Sequence, residues 1–118
     1  VADAPLPSPA GDEEAILSTL LAESPRLWEL VAQFVHALPI HAGLMQDALR
    51  DSSFDRLRAL AAELRVEGRR HGYGPLADLA AELEGAAEAG LVDALAERLN
   101  EFTLLIVRIH AGLRKPHS

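Results

Sequence analysis

The chain has 118 residues, a formal net charge of -7, 49% hydrophobic and 25% charged residues, no cysteine, and only one Trp, one Tyr and three Phe. That length suits one domain with one core, built here from aliphatic side chains and alanine, a composition that favours helices. The negative charge opposes phosphate backbones and anionic lipid, so nucleic acid and membrane surfaces are not expected partners, and the missing thiols exclude disulfides, thiolate zinc sites and cysteine nucleophiles.

Residues 1–11 read as a Pro/Ala/Ser linker, and the chain opens on Val1, so a domain of a longer protein is expected. The opening has neither the positive start nor the apolar centre of a signal peptide, and no apolar run approaches the ~18 residues of a membrane span. A single helical domain is expected over residues 12–115, with a tail at 116–118. Asp12, Glu13 and Glu14 ahead of Ile16, Leu17, Leu20 and Leu21 predict a short first helix with an acidic start.

Ser24-Pro25 predicts a cap with proline in the first turn of a second helix, whose stripe runs Leu27, Val31, Phe34, Leu38 and continues through His41, Leu44, Met45 and Leu49. Pro39 lies inside it, removes a backbone donor and is expected to bend or divide it. Ser52 or Ser53 should cap a third helix with Phe54, Leu57, Ala61, Leu64 and Gly68 inward. Gly72-Tyr73-Gly74-Pro75 then makes a corner. Leu76, Leu79, Ala80, Leu83 and Ala87 line a fourth helix that stops at Gly90, and Gly85 weakens its last turns. A fifth helix begins near Leu91, carries Leu95, Leu99, Phe102, Ile106, Ile109 and Leu113, and ends at Lys115-Pro116. Nothing alternates with a period of two. The expected fold is all-α: an up-and-down four-helix bundle with a short additional N-terminal helix.

Bundles often house metal, and the di-iron arrangement needs Glu-x-x-His motifs on facing helices. The residues three before His36, His41, His71, His110 and His117 are Gln33, Leu38, Gly68, Val107 and Arg114, none of them acidic. His36 and His41 are five apart and point to different sides of a helix. The histidines are therefore read as separate surface or boundary residues, with no metal or other cofactor expected. No Walker or dinucleotide loop occurs, since Gly72 and Gly74 join two helices and follow no strand.

The outer face of the third helix is more informative. At about 100° per residue, Arg58, Ala62, Arg65, Val66 and Arg69 gather on the side away from Leu57, Ala61 and Leu64. Three arginines thus surround a small alanine, a pattern that fits either a solvated face or a surface for an acidic partner.

In this setting Leu60-Ala61-Ala62-Glu63-Leu64-Arg65-Val66, with Gly72 six positions later and GYGPLADLAAELE (72–84) after it, resembles the third-helix motif, corner and fourth helix of the histidine phosphotransfer (HPt) domains of bacterial two-component phosphorelays. Leu30-Val31, Phe34 and Leu38-Pro39 resemble the family's second helix, and GLVDALAERLNEF (90–102) the start of its last; the likeness spans residues 14–114. The resemblance implies a cytoplasmic HPt-like signalling domain whose partners are receiver or histidine-kinase domains, in trans or in the same parent chain.

The departures change what it implies. Ala62 stands where the family has its phosphoacceptor histidine, Arg65 where it has lysine and Val66 where it has the glycine that admits the partner. A methyl group accepts no phosphoryl group, so the expectation is a degenerate HPt domain: a docking or regulatory module, not an enzyme. Arg58, Arg65, Val66 and Arg69, with the second-helix edge at Trp28, Ala32 and Val35, would form the partner surface. The alternatives are phosphotransfer through His71 or His36, and a structural or dimerising helical bundle.

Overall fold

The computed structural model describes residues 15–113, and every regular element among them is helical. A short helix, α1 (Thr19–Glu23), leads through a 3-10 turn (Pro25–Leu27) into α2 (Trp28–Arg50). Then come α3 (Phe54–Arg70), α4 (Gly74–Ala89) and α5 (Val92–Gly112). The expected linker, the acidic residues 12–14 and the stop at Lys115-Pro116 lie outside the described residues.

Within them, α1 starts later than its apolar stripe suggests. Ser18 caps it by accepting from the Leu21 N–H at 3.1 Å, while its own hydroxyl donates to the His71 carbonyl at 2.6 Å. Upstream, the Ile16 N–H donates to the Arg108 carbonyl at 3.0 Å, which ties this segment to α5. Ile16 and Leu17 therefore precede the helix, and Leu17 is left exposed. The stretch is a strap across the α3–α4 corner and the end of α5.

Pro39 does not divide α2, which runs unbroken for 23 residues. Its ring is on the exposed side of the helix, where a carbonyl deprived of its N–H partner can turn to water. Ser24 and Ser53 precede helical turns as expected, but neither makes a side-chain cap bond.

The chain leaves α2, α3 and α4 by one shared device. After α3, the Tyr73 N–H bonds the Gly68 carbonyl at 2.8 Å and the Gly72 N–H bonds the Arg69 carbonyl at 3.1 Å. This paired closure satisfies carbonyls left open at a helix end and needs a left-handed residue, supplied by Gly72 at φ 85°. After α4 the same pair of bonds forms around Gly90, at φ 68°. After α2 it forms around Ser52, at φ 57°, where a side chain makes the conformation costly.

Short turns set successive helices side by side: α2 packs on α3 and α5, and α4 packs on α3 and α5. Between them Val31, Val35, Leu38 and Met45 of α2 meet Leu57, Ala61 and Leu64 of α3, Leu76 and Leu83 of α4, and Leu95, Phe102 and Ile109 of α5. The predicted inward residues of α4 and α5 are buried, apart from Leu113, which is partly buried against the core. Leu44 is the exception on α2: it is 37% exposed while its neighbour Met45 is fully buried. Gly68 permits the close approach of α3 and α4, since a Cβ there would meet the Leu76 Cγ at 3.3 Å.

Candidate functional site

The inward stripe of α3 fixes what its other side presents. With Leu57, Ala61, Leu64 and Gly68 buried, the 3.6-residue period turns Ala62 and Val66 outward, with Arg58 and Arg69 beside them. Val66 is 46% exposed, an isolated branched apolar side chain on a cationic helix face. Ala62 is half-buried, and Arg58 and Arg69 are exposed and make no ion pair among the described residues. No hydroxyl, thiol or imidazole occurs on this face.

Arg65 does not complete the ring of three. It leans across to α4, where its Nε donates to the Glu84 carboxylate at 2.9 Å in a half-exposed ion pair. Such a pair is worth about 0–1 kcal/mol and ties α3 to α4 more than it advertises charge.

On α2, Val35 is fully buried and Ala32 is 5% exposed, so neither belongs to a surface. They correct the expected docking edge. Val35 is part of the core, and Ala32 lines the bottom of a shallow groove shared with Trp28 and His36, because the apolar arc of α2 is wider than one stripe. Trp28 is half-buried at the start of the helix.

The exposed apolar residues of α2 are others: Leu30 at 52%, Ile40 at 69% and Leu44 at 37%. Leu30, Ala37 and Leu44 recur every seven residues with Ile40 between them, a pattern visible in the sequence but masked by the stronger inward stripe beside it. Between this ridge and α3 runs a groove of about 180 Å³ lined by Phe34, Ala37, Leu38, His41, Glu63 and Glu67, with Leu64 at its floor. His41 braces it by donating from Nε2 to the Leu60 carbonyl at 2.9 Å.

His71 is 7% exposed, which corrects the expectation of a solvated imidazole at the helix end. Its ring stacks on Phe34 at 4.3 Å, and its Nδ1–H donates to the Glu67 carbonyl at 2.7 Å. A ring so placed is a structural part of the corner. His36 is exposed but not separate, since its ring lies 5.3 Å from that of His110 on α5.

Tyr73, two residues past His71, is 1% exposed, and burial raises its hydroxyl pKa to about 12. A larger groove of about 470 Å³ lies between α4 and α5, lined by Asp78, Glu82, Glu101 and Arg108 around Leu104. It lies away from the α3 face. Among the described residues no group of three or more His, Asp or Glu side chains could hold a metal ion, and no helix is long and apolar enough to cross a membrane.

No family model, curated protein or solved structure matches this chain. Its chemistry must be read from the face itself. Unpaired guanidinium groups flanking an apolar spot suit binding of a carboxylate-bearing surface.

Proposed function

We propose that the chain is an HPt-like signalling domain of a two-component phosphorelay that docks receiver or histidine-kinase domains without relaying phosphate. In this role its four long helices form an up-and-down bundle, and the domain acts in the cytoplasm. The observation that carries it is the outer face of α3: Val66 exposed and Ala62 half-buried, with Arg58 and Arg69 unpaired beside them on a helix whose other side is fixed in the core.

This face offers what an acidic receiver surface would bind. The guanidinium groups would pair with carboxylates, and Val66 would fill a small apolar contact. The α2 contribution to the interface is the ridge of Leu30, Ala37, Ile40 and Leu44. The domain acts as a binding module and not as an enzyme, because Ala62 has no atom that can take a phosphoryl group.

Rebuilding the missing chemistry tests the reading. Ala62→His with Arg65→Lys and Val66→Gly should accept phosphate from a phosphorylated cognate receiver, detected as an acid-labile phosphohistidine absent from the parent chain. A folded triple variant that accepts none from any receiver of the same genome would count against the docking role.

A further inference from the structure

The pair His36 and His110 lies away from the α3 face and has a geometry of its own. One imidazole comes from α2 and the other from α5; the ring centroids are 5.3 Å apart and the planes are inclined at 44°. Both side chains are exposed. Their backbones are held by the core, with Val35 and Leu38 flanking His36 on α2 and Ile106 and Ile109 anchoring the last turns of α5.

An imidazole nitrogen lies ~1.1 Å from its ring centre and binds zinc at ~2.0–2.1 Å, so a shared ion would sit ~3.2 Å from each centroid. A tetrahedral angle at that ion then separates the two centroids by ~5.2 Å. The observed spacing meets this requirement and also falls within the roughly 4.5–7 Å of ordinary tilted ring pairs, so a metal titration, and not the spacing, separates the two.

We propose that His36 and His110 form a two-imidazole site for a borderline divalent transition-metal ion, with Zn²⁺ as the representative, that clasps α2 to α5. Imidazole is a preferred donor for Zn²⁺, Cu²⁺ and Ni²⁺, and the exposed side of the pair leaves room for water to complete the coordination shell. Because the two ligands come from helices far apart in sequence, the ion binds the folded chain and stabilises it by mass action. The site is independent of the docking reading of α3.

The test uses the metal-stripped full chain, titrated with Zn²⁺ by calorimetry and followed by thermal unfolding with and without the ion. The expected result is one-to-one binding and a raised Tm. Either His36→Gln or His110→Gln should weaken binding by about tenfold or more, since losing a direct ligand costs no less than losing the groups that orient one. His117→Gln should leave binding unchanged. Both imidazoles are exposed, so glutamine at either position preserves the core. Absence of one-to-one binding, binding that survives either substitution, or equal loss in His117→Gln would overturn the proposal.

Discussion

Two parts of α3 lie within three turns of each other and obey opposite rules. At its C-terminal end Gly72, His71 and Tyr73 are locked between the strap before α1, the start of α4 and Phe34 of α2. On its outer face Val66, Arg58 and Arg69 are exposed around a half-buried Ala62. A Cβ on Gly72 would run into the Leu20 backbone nitrogen, whereas Val66, Arg58 and Arg69 are open to solvent. The corner is specified by packing, so its residues report on the fold. The outer face is free of packing demands, so its residues report on binding.

The largest expected effect comes from the locked side. Gly72→Ala forces a side chain into a left-handed φ and into the backbone at the start of α1, and should cost on the order of 3 kcal/mol in urea unfolding. A cost below that of an ordinary surface change would mean that the start of α1 does not close on the corner.

Next is Tyr73. Its hydroxyl ionises near pH 10 in the unfolded chain and at about 12 in the folded one, so folding favours the protonated form. Its contribution to stability is fully present below pH 10 and is lost as pH rises from about 10 towards 12, amounting to on the order of 2–3 kcal/mol. Tyr73→Phe should flatten that alkaline fall, as read from unfolding midpoints across this range.

A third prediction uses the odd member of the three helix exits. Ser52→Gly relieves a left-handed side chain at φ 57° and should raise stability by about 0.5–1 kcal/mol, provided the corner keeps its paired bonds. No gain, or a loss, would place the cost of that turn elsewhere. Smallest of all should be Val66→Ser and Ala62→Ser, each within about 0.5 kcal/mol of the parent, because neither side chain is part of the core. If either behaved like a core substitution, the contrast between the two regions would fail.

The sequence carried much of this fold because its strongest signals were local. Leucines at helical spacing placed α3, α4 and α5, and Gly72 and Gly90 marked turns for which a left-handed conformation was required. What escaped reading depended on tertiary contacts. Ser18 caps α1 and also bonds the His71 carbonyl, and the Ile16 N–H bonds the Arg108 carbonyl, contacts with residues far away in sequence. Ser52 adopted a conformation that its identity disfavours.

The site divides in the same way. The period of α3 put Ala62, Val66, Arg58 and Arg69 on one face, but it could not show that Arg65 would turn to Glu84. Nor could it tell that Val35 would be sealed in the core while Leu44 was not, since both lie near the margin of the α2 stripe. The approach of His36 to His110 joins helices 74 positions apart and has no local signature.

The central claim is that the α3 face docks a partner and transfers nothing. Calorimetric titration of the domain against receiver domains of the same genome, with each receiver phosphorylated and the products assayed for acid-labile phosphate, measures both halves together. The account predicts saturable binding to at least one receiver, weakened about tenfold or more when Val66→Asp places a like charge against its acidic surface, with no phosphate on this chain. Binding to none of them, binding indifferent to Val66→Asp, or a phosphohistidine on the unaltered chain would contradict it.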